Sequence, residues 1–312
     1  MKIAYLFPGQ GSQFPGMGQE LAKQFEVARE TFEEADEALG FSISKLCFEG
    51  PEEDLKRTEN TQPALVATSV AALRVLRSLG VGVPAFVAGH SLGEYSALVA
   101  AESLGFADAL RLVRKRGQYM QAAVPAGVGA MAAILKMPLA ALEGVLAEAA
   151  QGEVVTAANL NSPDQIVIAG NKGAVERAME LAKAAGAKRC IALAVSAPFH
   201  CPLMRPAQAM LQADLDATSF GNLSVPLVNN WQARLISTGA EARIGLYEQV
   251  PNPVRWVETV ELLAREGVTH TIEIGAGKVL CGLVRNIDST LVTMNFGVPG
   301  DWAQIEASRA EG

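Results

Sequence analysis

The chain has 312 residues, 50% of them apolar and 6% aromatic, with a formal charge of −7. That length allows one large domain or two, with a sizeable core filled mainly by Ala, Val and Leu. The basic residues are scattered through an acidic chain, which argues against nucleic acid as a partner, and no apolar run approaches the ~20 residues of a membrane span.

The first residues, Met1 to Pro8, hold too short an apolar stretch for a signal peptide. A cytoplasmic protein is therefore expected; a monomer is expected as well. The four cysteines, Cys47, Cys190, Cys201 and Cys281, show no Cys-x-x-Cys or Cys/His metal spacing and read as reduced thiols.

In chain order, Ile3 to Phe7 reads as a buried strand running into a Gly-rich turn, Pro8-Gly9-Gln10-Gly11-Ser12-Gln13. Residues 17–39 read as helix, and 63–79 as a helix that is apolar almost all round. A strand over 83–88 and helices over 93–103 and 107–123 follow. The Pro/Gly-rich stretch 124–129 marks a joint.

Beyond the joint come a strand (130–135), a helix (138–150), strands at 154–158 and 165–169 with a turn at 161–164, a helix (171–185) and a strand (188–195). Pro138 is placed in the first turn of its helix, and Asn171 and Gly186 at the two ends of the next. This β-α-β-β-α-β order is ferredoxin-like. Residues 126–196 thus read as a small inserted subdomain, and 1–125 with 197–312 as a large α/β subdomain. Further strands are expected at 225–229 and 271–274, and helices at 206–215 and 253–266. The loop Gly275-Ala276-Gly277-Lys278 lacks the spacing of a phosphate loop and reads as a structural turn.

The most informative stretch is Gly89-His90-Ser91-Leu92-Gly93, a Gly-x-Ser-x-Gly sequence between a strand and a helix. Such a turn lifts a serine hydroxyl to the top of a sheet at a helix N-terminus. The fold expected is an α/β-hydrolase-like core with a parallel sheet and a nucleophile elbow, and the chemistry is acyl transfer through a serine ester.

A serine needs a base, and the chain has three histidines. His90 adjoins Ser91, so its side chain should diverge and line the site. His270 precedes a strand and reads as a surface or core-edge residue. His200, in the proline-bracketed loop Ser196 to Pro202, remains by elimination. Cys201 is a rival nucleophile without an elbow. No acid is evident to orient His200; Asp164 falls in the hairpin turn, and a backbone carbonyl would serve instead.

Several stretches together resemble one family: Phe7 to Gln13, Thr61 to Leu65, Gly89 to Glu94, Arg116-Gly117 with Met120-Gln121, Asn159 to Pro163, the His200 segment, and Gln249 with Pro253 to Trp256. In order and nearly end to end, the chain is similar to the malonyl-CoA:acyl-carrier-protein transacylases.

The resemblance implies that Ser91 attacks malonyl-CoA, His200 moves the proton and the Gln249 carbonyl holds the imidazole. It implies an oxyanion hole from the backbone N–H groups of Gln10 and Leu92. Arg116 would grip the malonyl carboxylate, and Gln62 would line the site. The partners implied are malonyl-CoA and holo acyl carrier protein, in a ping-pong reaction needing no metal or cofactor. Lys183, Lys188 and Arg189 are candidates to meet the acidic carrier. Phe199, just before His200, would crowd an α-methyl group and so favours malonyl. A serine hydrolase and a trans-acting polyketide acyltransferase are the alternatives.

Overall fold

The structure is a computed structural model and describes residues 1–125, 127–195 and 197–310. The two junction residues, Ala126 and Ser196, and residues 311–312 lie outside the described residues. The strands are β1 (Ile3–Phe7), β2 (Phe86–Gly89), β3 (Gly129–Leu135), β4 (Val155–Ser162), β5 (Gln165–Asn171), β6 (Arg189–Ala192), β7 (Leu227–Val228), β8 (Leu235–Ile236), β9 (His270–Ile274) and β10 (Val292–Phe296).

Six of them form one sheet in the order β10-β9-β1-β2-β7-β8. All its neighbours are parallel except β8, which turns back along β7. Alternate residues of β1 enter different layers, as the two-residue period of a strand requires. Tyr5 and Phe7 join the core containing the helix Thr58–Ser78, whereas Ala4 and Leu6 join Phe86, Ala88, Val228 and Trp256 on the opposite face. A parallel strand covered on both faces must be apolar throughout, which explains the unbroken run at the start of the chain.

The other four strands form an antiparallel sheet in the order β4-β5-β3-β6, with helices Leu139–Ala150 and Lys172–Ala184 on one face. This is the ferredoxin-like βαββαβ arrangement. Ala132, Ile134, Ile166 and Ile168 point at those helices, while Met131, Ala133, Val167 and Ala169 point into the main core. Backbone bonds join the two sheets' surroundings: Leu160 N donates to Val254 O and Val254 N to Ala158 O, each at 2.9 Å. Among the described residues no helix is long and apolar enough to cross a membrane.

Several local readings change. The helix expected from 63 begins at Thr58, with Pro63 inside it. Proline cannot bond the carbonyl four residues back, and that carbonyl, of Glu59, instead accepts from Arg114 Nη1 at 2.8 Å. Pro138 is the cap residue before its helix rather than within the first turn. Asn171 stands at the cap position of its helix, but its Oδ1 accepts from Val154 N at 2.8 Å. The last strand of the small sheet pairs only over Arg189–Ala192. Strands β8 and β10 and the helices Ile43–Glu49, Gly239–Gln249 and Trp302–Ala310 were not anticipated. The loop at 275–278 is a turn between β9 and the helix Val279–Ile287, as read from its spacing.

Candidate active site

β2 ends at Gly89, opposite Phe7 of β1, and the chain reverses at Ser91 before the helix Gly93–Ala100 begins. The reversal is tight. A Cβ on Gly89 would lie 2.0 Å from the Gly93 carbonyl carbon, and one on Gly93 would lie 2.2 Å from Phe7 O. Ser91 takes a φ of 52°, a strained value for a residue with a side chain. Asn230 braces it. Its Oδ1 accepts from Ser91 N at 2.7 Å and its Nδ2 donates to Gly89 O at 2.7 Å. Gln249 Nε2 donates to Ser91 O at 3.0 Å.

His200 lies 109 residues further along the chain, yet its Nε2 is 2.7 Å from Ser91 Oγ. Its Nδ1 is 2.9 Å from Gln249 O. A carbonyl only accepts, so the ring proton sits on Nδ1 and Nε2 is left to accept from the serine hydroxyl. Burial, reinforced by the Arg116 charge, pushes the imidazole down to about 3, which keeps it neutral. No acid contacts the ring among the described residues; Asp164 pairs with Lys136 instead. Cys201 is buried, donates to Pro198 O at 3.1 Å, and is pushed up to about 12 by burial, so it holds no thiolate. His270 starts β9, its Nδ1 2.8 Å from Thr269 Oγ1.

Arg116 leaves the exposed face shared by Arg111 and Lys115 and turns inward, 2% exposed. Its Nη1 donates to Gln62 Oε1 at 2.8 Å, and its Nη2 to Gln249 Oε1 at 2.8 Å and Ser91 Oγ at 3.1 Å. No carboxylate pairs with it among the described residues. Burial lowers its pKa, but a guanidinium stays charged at neutral pH.

Ser91, His200 and Arg116 line a cleft, partly open to solvent, between the elbow and the small sheet. Gln10, Gln62, His90, Leu92 and Phe199 line it too, along with Met131, Asn159, Leu193 and Val195 from the small sheet's side. Gln249 sits behind Arg116, fully buried. The backbone N–H groups of Gln10 and Leu92 donate to no described residue. His90 diverges from Ser91: its Nε2 meets Asn161 Oδ1 at 2.8 Å and its ring lies 5.5 Å from that of Trp256.

The arrangement is a serine hydroxyl held between a neutral imidazole and a buried cation. The family model for the acyl transferase domain matches residues 4–291. A malonyl CoA-acyl carrier protein transacylase of Bacillus subtilis strain 168 is 52% identical over 299 residues, covering 96% of this chain and 94% of that one. The chain belongs to the malonyl CoA-acyl carrier protein transacylase family. Within that family, a solved acyl carrier protein S-malonyltransferase from Vibrio cholerae is 48% identical, with a TM-score of 0.96 over 98% of this chain and all of that one. A solved malonyl-transacylase in complex with a type II PKS acyl-carrier protein is 46% identical, with a TM-score of 0.95 over 97% of this chain and 98% of that one.

Two residues of this transacylase site carried no role in the sequence. Asn230, which braces the elbow, follows a two-residue strand, and nothing in its spacing points to Ser91. Glu94 is fully buried at the start of the helix after the nucleophile. Its Oε2 accepts from Gln249 Nε2 at 2.8 Å and from Asn230 N at 3.1 Å. Burial pushes its carboxyl up to about 7, against the pull of these two donors and of Arg116. The one available signal was an acid standing alone in an otherwise apolar helical run, Tyr95 to Ala101.

Proposed function

We propose that the protein transfers the malonyl group of malonyl-CoA to the phosphopantetheine thiol of acyl carrier protein, as a monomer, through a Ser91 ester. Ser91 Oγ attacks the thioester carbonyl while His200 Nε2 takes its proton and returns it to the departing thiol. The C–O bond forms first, as the carbonyl electron pair moves onto its oxygen; collapse of that tetrahedral oxyanion breaks the C–S bond, and CoA leaves. The carrier thiol then repeats the exchange in reverse.

The Gln249 carbonyl keeps the proton on Nδ1, so the imidazole enters each half-reaction as a base. The N–H groups of Gln10 and Leu92, which donate to no described residue, receive the oxyanion. Loss of one such donor typically costs about 10²–10³ in rate. The strained Ser91 backbone, fixed by Asn230, aims the hydroxyl before substrate arrives.

The observation that carries this reading is Arg116. A cation buried against Ser91, with no carboxylate in direct contact among the described residues, suits an acyl group that brings one. A simple esterase has no use for it. Phe199, buried at the cleft, favours malonyl over a branched unit by about 1–3 kcal/mol, the usual worth of one such group in a shaped pocket. Lys183, Lys188 and Arg189 offer positive charge for an acidic carrier. Lys188 and Arg189 line a separate cavity with Lys136 and Asn286.

Intact-protein mass after brief mixing with malonyl-CoA, with acetyl-CoA in parallel, tests the reading. A malonyl-sized adduct on the Ser91 peptide, absent in Ser91→Ala and discharged by holo acyl carrier protein, is expected. Free malonate without an adduct would point to a thioesterase. Because one solved relative holds a type II PKS carrier, the chase should include a fatty-acid carrier and a polyketide carrier. Faster discharge by the fatty-acid carrier is expected for a protein supplying chain elongation.

A further inference from the structure

Arg116 and Glu94 are both buried, and among the described residues neither touches an opposite charge. One amide joins them. Gln249 Oε1 accepts from Arg116 Nη2, and Gln249 Nε2 donates to Glu94 Oε2, each at 2.8 Å. A guanidinium only donates and a carboxylate only accepts, so the amide cannot turn over without losing both bonds. Asn230 N binds the same Glu94 oxygen at 3.1 Å. The other oxygen, Oε1, is buried with no partner among the described residues. One side of this carboxyl is thus held for a negative charge. The other is bare, so a proton arriving there displaces no contact.

An acyl group with its own carboxylate brings a second anion to a site with one cation. Two carboxylates sharing a buried site resist being ionised together. We propose that Glu94 is the counter-charge of Arg116 while the pocket is empty and yields that role to the acyl carboxylate, taking up a proton as the carboxylate seats. Glu94 touches no reacting atom. It is a positioning residue that acts through Gln249 and Arg116 on which acyl group is held. Its part depends on malonyl being the acyl group, as proposed above.

The titratable groups facing Glu94 are Arg116, which favours its charge, and Tyr95, whose own ionisation burial pushes up, with neutral His200 beyond Gln249. The carboxyl, raised to about 7, titrates in the neutral range. Acylation exchanges a thioester and a hydroxyl for an ester and a thiol, so it consumes no proton at neutral pH. Any uptake then reports the carboxyl.

The test mixes the full-length protein with equimolar malonyl-CoA at pH 7 in weak buffer containing an indicator dye. About half a proton taken up per Ser91 acylated is expected, because a carboxyl with a pKa of about 7 is half ionised there. Glu94→Gln keeps an oxygen for Gln249 and Asn230 but carries no charge, and should take up none.

Glu94 ionises as pH rises through 7, so wild-type kcat/KM for malonyl-CoA falls above that point. Glu94→Gln lacks this fall and exceeds wild type about three- to tenfold at pH 8, converging with it at pH 6. Acylation without proton uptake, or a Glu94→Gln profile that follows wild type, overturns the proposal. Should the variant fail to fold, the wild-type proton count decides alone. Absence of any malonyl adduct on wild type overturns the malonyl reading itself.

Discussion

Arg116 shows how far one side chain departs from its neighbours. Arg111, Arg114 and Lys115 share its helix and pair with Asp108, Glu59 and Asp214 near the surface, whereas Arg116 faces Ser91 with amides for company. In the role proposed for it, Arg116 gives a bound carboxylate a charge-assisted fork worth on the order of 3–4 kcal/mol, so Arg116→Ala should lower kcat/KM for malonyl-CoA about 10²–10³-fold. Acetyl-CoA, with no carboxylate to hold, should lose far less. Equal losses on both substrates would make Arg116 a packing residue.

His200 gives a second expectation. Its folded pKa of about 3 lies below the ordinary 6.5, so the folded imidazole stays neutral where a free one charges. Acylation of wild type should therefore show no fall between pH 7 and pH 5, and a stopped-flow pH series would reveal a limb near 6.5 if the burial argument failed. The linked stability term has a definite sign. The unfolded chain takes up the proton first, so stability is retained above pH 6.5 and lost progressively as pH falls from there toward 3.

At the scale of elements, the elbow depends on backbone approach more than on side-chain chemistry. Gly93 must clear the Phe7 carbonyl, which an added Cβ would meet at 2.2 Å. Gly93→Ala should push the helix Gly93–Ala100 off β1, lower the melting temperature by several degrees and abolish the Ser91 adduct; a folded, active variant would show that the sheet can give way there. The strand, turn and helix around Ser91 were legible because Gly-x-Ser-x-Gly encodes this approach directly. So was the small sheet, whose two-residue alternation and paired helices stand out in order. Strand β8 was not, since two residues carry no period. Pro63 hid the true start at Thr58 because a neighbouring arginine, not local propensity, satisfies the displaced carbonyl. His200 emerged by elimination among three histidines, whereas the roles of Gln249 and Arg116 came only with the family resemblance. Asn230 stayed invisible because its contact with Ser91 spans 139 positions.

For the whole molecule, the cleft lies where the small sheet packs against the larger one's core. The small sheet has its own apolar layer against the helices Leu139–Ala150 and Lys172–Ala184, but its other face, Met131, Ala133, Val167 and Ala169, belongs to the main core. The bonds from Leu160 to Val254 and from Val254 to Ala158 then fix β4 against the large unit. Asn159 and Asn161 of β4 face the cleft and His90, so the same register that joins the units sets the position of the cleft wall. Units sharing an apolar face and backbone bonds should open together rather than hinge freely. The amides of Leu160 and Val254 should accordingly exchange with solvent as slowly as those of β1, and thermal unfolding should show one cooperative transition. Fast exchange at these two amides, or a separate early transition of the small unit, would mean that the cleft wall moves independently. Its width would then be set by substrate rather than built into the fold.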